Sequence, residues 1–127
     1  MPLPVHAQVS AAPNFAANLQ EVHAFFEAQD ASTASDRLAN LKSELRQAIT
    51  MLAWSPASGR PARFLTAQSV QARIKAAAVL QLAAQAGLPH LREYVLAQHL
   101  VLYAHSETEV VLLALKHQRQ LTYSALQ

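Results

Sequence analysis

Apolar positions recur along this chain with two periods, and the change between them divides it into a helical front and a stranded back. Val5-His6-Ala7-Gln8-Val9-Ser10 alternates apolar and polar residues, the pattern of a strand with one buried face. Pro13 and Asn14 then open a stretch in which Phe15, Leu19, Val22 and Phe26 recur at steps of three and four, which predicts an amphipathic helix. The small polar run Asp30 to Ser35 reads as a turn, with Thr33 or Ser35 placed to cap a second helix. This second helix carries Leu38, Leu41, Leu45, Ala48/Ile49 and Leu52 on one stripe, and Pro56 ends it, with Trp54 expected to pack beneath that turn. The two helices form a hairpin.

Ser58-Gly59-Arg60-Pro61 reads as a turn, and a third, Ala-rich helix is predicted from about Thr66 to Ala86, capped by Thr66 or Ser69 and closed by Gly87 and Pro89. From Leu91 the period shortens to two. Strands are predicted over 92–96, 99–105 and 109–116, joined by tight turns at Ala97-Gln98 and Ser106-Glu107-Thr108, an antiparallel meander. The fold class is therefore α+β: strand, helical hairpin, extra helix, then three strands, one domain over 1–127 with a helical insertion at about 65–88. With the last turn centred on Glu107, Leu100, Leu102 and Ala104 share a core face with Val110, Leu112 and Ala114. Val101, Tyr103, Val111 and Leu113 occupy the other face, with His99 and His105 at its ends. That second face is also apolar. A small antiparallel sheet normally keeps one side wet, so the extra helix or a partner chain is expected to cover it.

Charge adds an asymmetry to this pattern. Residues 1–36 carry Glu21, Glu27, Asp30 and Asp36 with no Lys or Arg. Residues 37–92 carry Arg37, Lys42, Arg46, Arg60, Arg63, Arg73, Lys75 and Arg92 against Glu44 alone. The whole chain nets only +2, but its middle is basic and suited to an acidic partner. Zero cysteines among 127 residues exclude disulfide scaffolds and thiol catalysis, and two glycines leave no Gly-rich phosphate loop. No apolar run approaches a membrane span, and the N-terminus lacks the basic start of a signal peptide, so a cytoplasmic protein without membrane contact is expected.

Six histidines fall in no metal-binding spacing, so neither a metal nor a cofactor is expected. There is no Gly-x-Ser-x-Gly elbow. The remaining polar cluster leaves the last strand as Lys116-His117-Gln118-Arg119-Gln120-Leu121-Thr122-Tyr123, where His117, Arg119 and Tyr123 could perform acid–base and phosphate-stabilising work.

Gly59-Arg60-Pro61, Leu91-Arg92-Glu93-Tyr94, Leu100-Val101-Leu102-Tyr103 and Val110 to Arg119, in that order, resemble the signature of the RelE/ParE toxin superfamily over about residues 5–123. The resemblance implies the toxin of a bacterial type II toxin–antitoxin pair, a growth inhibitor held inactive by an antitoxin whose acidic C-terminal segment wraps around it. About 29 residues lie between Pro61 and Leu91 where the common pattern has a short loop. The strands bear few bases beyond Arg92 and Lys116, which looks closer to ParE, whose members poison DNA gyrase; no direct sequence-specific DNA binding by this chain is expected. Arg60, Arg63, Arg92, Val101, Tyr103, Val111 and Leu113 are then expected to face the antitoxin, and Lys116, His117 and Arg119 the target. The RelE-like alternative is a metal-independent, ribosome-dependent mRNA endoribonuclease using His117, Arg119 and Tyr123. A degenerate module that binds an antitoxin without toxicity is the third.

Overall fold

The computed structural model describes residues 6–62, 70–120 and 123. The elements run β1 (Gln8–Ala11), α1 (Pro13–Gln29), α2 (Ala31–Trp54), β2 (Arg60–Pro61), α3 (Val70–Ala86), β3 (His90–Val95), β4 (His99–His105) and β5 (Glu109–His117). One sheet has the order β1-β5-β4-β3-β2. All its neighbours are antiparallel except β1, which lies parallel to β5. The α1–α2 hairpin packs on one face of the sheet and α3 on the other.

The hairpin turns on a single residue. Asp30 closes α1, its N–H donating to the Phe26 carbonyl, and caps α2, its carboxylate accepting from the Ser32 N–H at 3.0 Å and the Ser32 hydroxyl at 2.6 Å. Those bonds, the hydroxyl's first, lower the Asp30 pKa. Thr33 and Ser35 therefore lie inside α2 rather than at its cap, because Asp30 already supplies the acceptor that the first turn needs. Leu41, Leu45, Ala48 and Leu52 turn inward from α2 as their spacing predicts. Trp54 does not pack under the Pro56 turn: it stays exposed, its ring meeting His6 edge-on at 3.7 Å.

The β4–β5 register departs from the expected one in a way that exchanges side-chain faces. The turn lies half a residue later, so His105 pairs with Val110 and Tyr103 with Leu112. A bulge then leaves Leu113 without a partner before Leu102 meets Ala114. A one-residue slip moves a strand's side chains across the sheet. Val110 and Leu112 accordingly join Val101 and Tyr103 beneath the hairpin, while Leu113 and Ala114 join Leu100, Leu102 and Ala104 on the α3 face. Both faces are core. The second is covered from within the chain, by Val79 of α3 with Ala83, Ala86 and Leu88 beside it. Gly87, at φ +68°, takes the left-handed turn that lets the chain leave α3 for β3. Thr66 and Ser69, expected to cap α3, lie outside the described residues.

β1 accompanies β5 only as far as Leu112. Beyond it, two buried asparagines of α1 meet the β5 backbone. Asn14 donates to the Leu113 carbonyl at 3.0 Å, and Asn18 accepts from the Leu115 N–H at 3.0 Å. Their spacing of four puts both on one helical face. Backbone groups next to the bulge thus find partners in a region that water does not reach.

Candidate partner-binding cleft

The motifs that lie far apart in sequence converge at the β2–β3 edge. The Gly59 N–H donates to the Tyr103 hydroxyl at 2.9 Å, and that hydroxyl donates to the Pro56 carbonyl at 2.6 Å. Arg92 reaches the same segment, its Nη1 donating to the Gly59 carbonyl at 3.0 Å and its Nε to His105 Nε2 at 3.0 Å. His105 accepts there and donates through Nδ1 to the Ser106 carbonyl, a pair of bonds that fixes the neutral tautomer. Glycine is required at 59 by space: a Cβ would stand 2.6 Å from both the Glu93 carbonyl and the Tyr103 hydroxyl. Burial raises the Tyr103 pKa and lowers that of His105, keeping both neutral.

A second polar group sits on the α3 face. Glu93, only 1 % exposed, accepts a short hydrogen bond from the Tyr123 hydroxyl and lies 3.6 Å from Arg60 Nε. Lys116 donates to the Gln120 carbonyl at 2.7 Å and its ammonium stands 5.3 Å from the Tyr123 ring centre. Burial lowers the Lys116 pKa. Burial and then the Glu93 carboxylate push Tyr123 far above the ordinary tyrosine range, so its proton stays in place.

The other end of the sheet is open. A cleft of about 480 Å³ lies between α1 and the ends of β4 and β5. Val22, Phe26 and Leu115 line it with apolar surface, and Phe25 stands in it 55 % exposed among the described residues. His99 and His117 meet edge-on at 5.3 Å, and His99 meets Phe26 edge-on at 6.2 Å. Burial, and next the neighbouring His117, lower the His99 pKa, so it is an uncharged part of the wall. Arg37 lies 4.0 Å over the Phe26 ring and donates to the Gln29 side chain at 2.9 Å. Arg119 is exposed, held on a turn in which its N–H donates to His117 Nδ1 at 3.1 Å and the His117 N–H donates to Gln120 Oε1 at 2.8 Å. Among the described residues neither arginine has a carboxylate within salt-bridge distance, and Glu21 is the one acid in the lining.

Strand alternation separates the residues expected to act together. His117 and Arg119 line the cleft on the hairpin side, while Lys116 and Tyr123 belong to the α3 side. The groups His117, Arg119 and Tyr123 therefore do not assemble into one site, and the target-facing group Lys116, His117 and Arg119 is divided by the sheet. The expected antitoxin-facing residues divide likewise. Val101 and Tyr103 are buried under the hairpin, Leu113 and half-buried Val111 pack on the α3 side, and Arg60 and Arg92 are engaged on opposite faces. Arg63 lies outside the described residues. The basic middle of the chain is likewise dispersed: Lys42 and Arg46 are solvated on α2, Arg37 is in the cleft, and Arg60 and Arg92 are internal ties. Sequence reasoning missed Asn14, Asn18 and Phe25. The two asparagines at a spacing of four inside an apolar helix face were a readable signal, whereas Phe25 adjoins Phe26 and its exposure depends on where β5 ends.

No protein-family model matches the chain, and no curated protein matches it. Among solved structures the chain is similar to one described as "Chromosomal ParDE TA system from P. aeruginosa", at 10 % identity and a TM-score of 0.54, with 96 % of this chain and 98 % of that chain covered. Among the described residues no helix is long and apolar enough to cross a membrane. The helical hairpin on a five-stranded sheet is thus the fold of a chain from a ParDE toxin–antitoxin system, in keeping with the RelE/ParE-like order of motifs in the sequence.

Proposed function

We propose that this chain is the toxin of a type II toxin–antitoxin pair, ParE-like, inhibiting growth through DNA gyrase and neutralised by a cognate antitoxin. The observation that carries this reading is the fold correspondence along nearly the whole chain. Convergence of the signature supports it: Arg92 and Tyr103, drawn from two separated motifs, each hydrogen-bond to Gly59 of a third. The contact with the target falls to His117 and Arg119, which the locked turn after β5 presents at an open end of the sheet. The gyrase reading is favoured over the ribonuclease alternative by Tyr123, whose hydroxyl is committed to Glu93 on the far side of the sheet from His117 and Arg119. A general acid or base must reach its proton, and a tyrosine 1 % exposed and hydrogen-bonded to a buried carboxylate is not so placed.

Induced expression is expected to arrest growth, and the purified chain to block supercoiling by purified gyrase. Arrest with intact supercoiling and cleaved message in a translating extract would transfer the reading to the ribonuclease class. Harmless expression without any antitoxin would leave only the non-toxic binding module.

A further inference from the structure

Among the described residues, α3 turns to solvent a face that its own fold leaves uncovered. Of its 17 residues, Val79 is fully buried against the sheet, with Ala83 and Ala86 beside it. The outward face carries Ile74, Ala77, Leu80, Gln81, Ala84 and Gln85, all exposed, Ile74 by 62 % and Leu80 by 42 %. None of these six residues is charged. A helix that is apolar on every side is normally packed on every side, whereas α3 is packed on one.

The order of residues on that face fits a second copy of the same helix. With a two-fold axis level with position 79, an antiparallel pair sets Ile74 of one copy opposite Ala84 of the other, Leu80 opposite Ala78, and Ala77 opposite Gln81. Each large apolar residue then faces an alanine, and this alternation lets helix axes approach to about 8–10 Å. Charge selects the same direction. The charged residues of α3 are Arg73 and Lys75, both in its first two turns, and it has no acid. Parallel packing would gather the four cations of two copies at one end. Antiparallel packing sets each pair beside the last turn of the other helix, where the helix dipole is negative.

We infer that the outward face of α3 is the contact between two copies of this chain, joined as an antiparallel, two-fold α3–α3 dimer. A helix of 17 residues is about 25 Å long, so the contact buries less than the roughly 1,200 Å² at which stable complexes begin, and the dimer is weak. It forms on the side of the sheet away from His117 and Arg119, which stay open in both copies.

The test is sedimentation velocity of the full-length chain from about 5 to about 500 μM, a span suited to a weak complex. The average mass is expected to rise from 13.8 kDa toward twice that value. Leu80→Glu and Ile74→Glu alter exposed positions, and both variants are expected to keep the wild-type circular dichroism. Each should weaken self-association on the order of tenfold or more, because it places a carboxylate in an apolar contact. The chain has no cysteine, so oxidising a mixture of the Ala77→Cys and Gln81→Cys variants reports the direction of packing. The mixed disulfide is expected to exceed both self-disulfides in a mass spectrum. A monomeric mass at the highest concentration, self-association unchanged in both Glu variants, or self-disulfides in excess would each overturn the inference. A monomer that instead floats with phosphatidylglycerol vesicles would assign the face to a lipid surface and overturn it as well.

Discussion

The β2–β3 edge and the α1–β5 cleft sit at different ends of one sheet and use their polar residues in opposite ways. At the edge, Tyr103, Arg92, His105, Glu93 and Tyr123 all find partners inside the molecule. At the cleft, Arg119 projects outward and Phe25 stays exposed. The most conspicuous motif residues therefore hold the chain together. Residues available to another molecule lie at the open end, after β5 and on α1.

The comparison can be broken most forcefully at Glu93. Glu93→Ala leaves Arg60 and Lys116 facing each other with no carboxylate between them and removes the Tyr123 partner. Losing one side of a buried pair costs about 3–5 kcal/mol, and the partial exposure of Arg60 places the expected loss near the lower end. A urea titration read by circular dichroism checks it; a midpoint unchanged from wild type would show that the cluster does not support the fold. Tyr103→Phe removes a hydroxyl that serves two backbone groups, and about 1–3 kcal/mol is expected. Gly59→Ala, forced against the Glu93 carbonyl, should lose a similar amount, roughly 1–3 kcal/mol.

A smaller effect comes from acid. His105 and His99 are both held below the ordinary histidine value, burial being the first cause in each. The unfolded chain then takes up protons at about pH 6.5 before the folded chain does. Stability is full above that pH and falls as the pH drops below it toward the folded-state values. The urea midpoint should decline from pH 7 to pH 5, and His105→Gln should flatten part of that decline. A midpoint constant across the range would contradict the neutral histidines. The smallest effect on stability is expected in the cleft, where Phe25→Ser and Arg119→Ala should each change unfolding by no more than about 0.5 kcal/mol. A larger loss would mean that the cleft, too, is structural.

Much of this was legible in the sequence because its periods are strong. The α1 and α2 stripes and the three closing strands come from spacing, and the stop before Pro56 and the Gly87 exit from the backbone limits of proline and the freedom of glycine. The need for a second cover on the sheet came from two apolar faces, and α3 supplies it. What spacing could not reveal is the bulge at Leu113, since an extra residue in one strand is invisible until its partner is known. The half-residue shift of the turn that the bulge then corrects decides which side chains meet, so the expected grouping of Val101 with Val111 dissolved with it. The basic middle is legible only in part for a related reason: net charge by segment does not say that Arg60 and Arg92 are engaged by a carboxylate and a carbonyl inside the fold. Asp30 shows the converse, a single residue whose capping role outweighed a run of small polar neighbours.

The most direct test is growth on induced expression of three chains, each with its urea midpoint measured: wild type, Tyr103→Phe, and the cleft variant His117→Ala/Arg119→Ala. Wild type is expected to arrest growth, and Tyr103→Phe to arrest it while folded despite a lower midpoint. The cleft variant is expected to let cells grow with its midpoint nearly unchanged. Full arrest by a folded cleft variant, or no arrest by wild type, would contradict the assignment of function to the open end of the sheet.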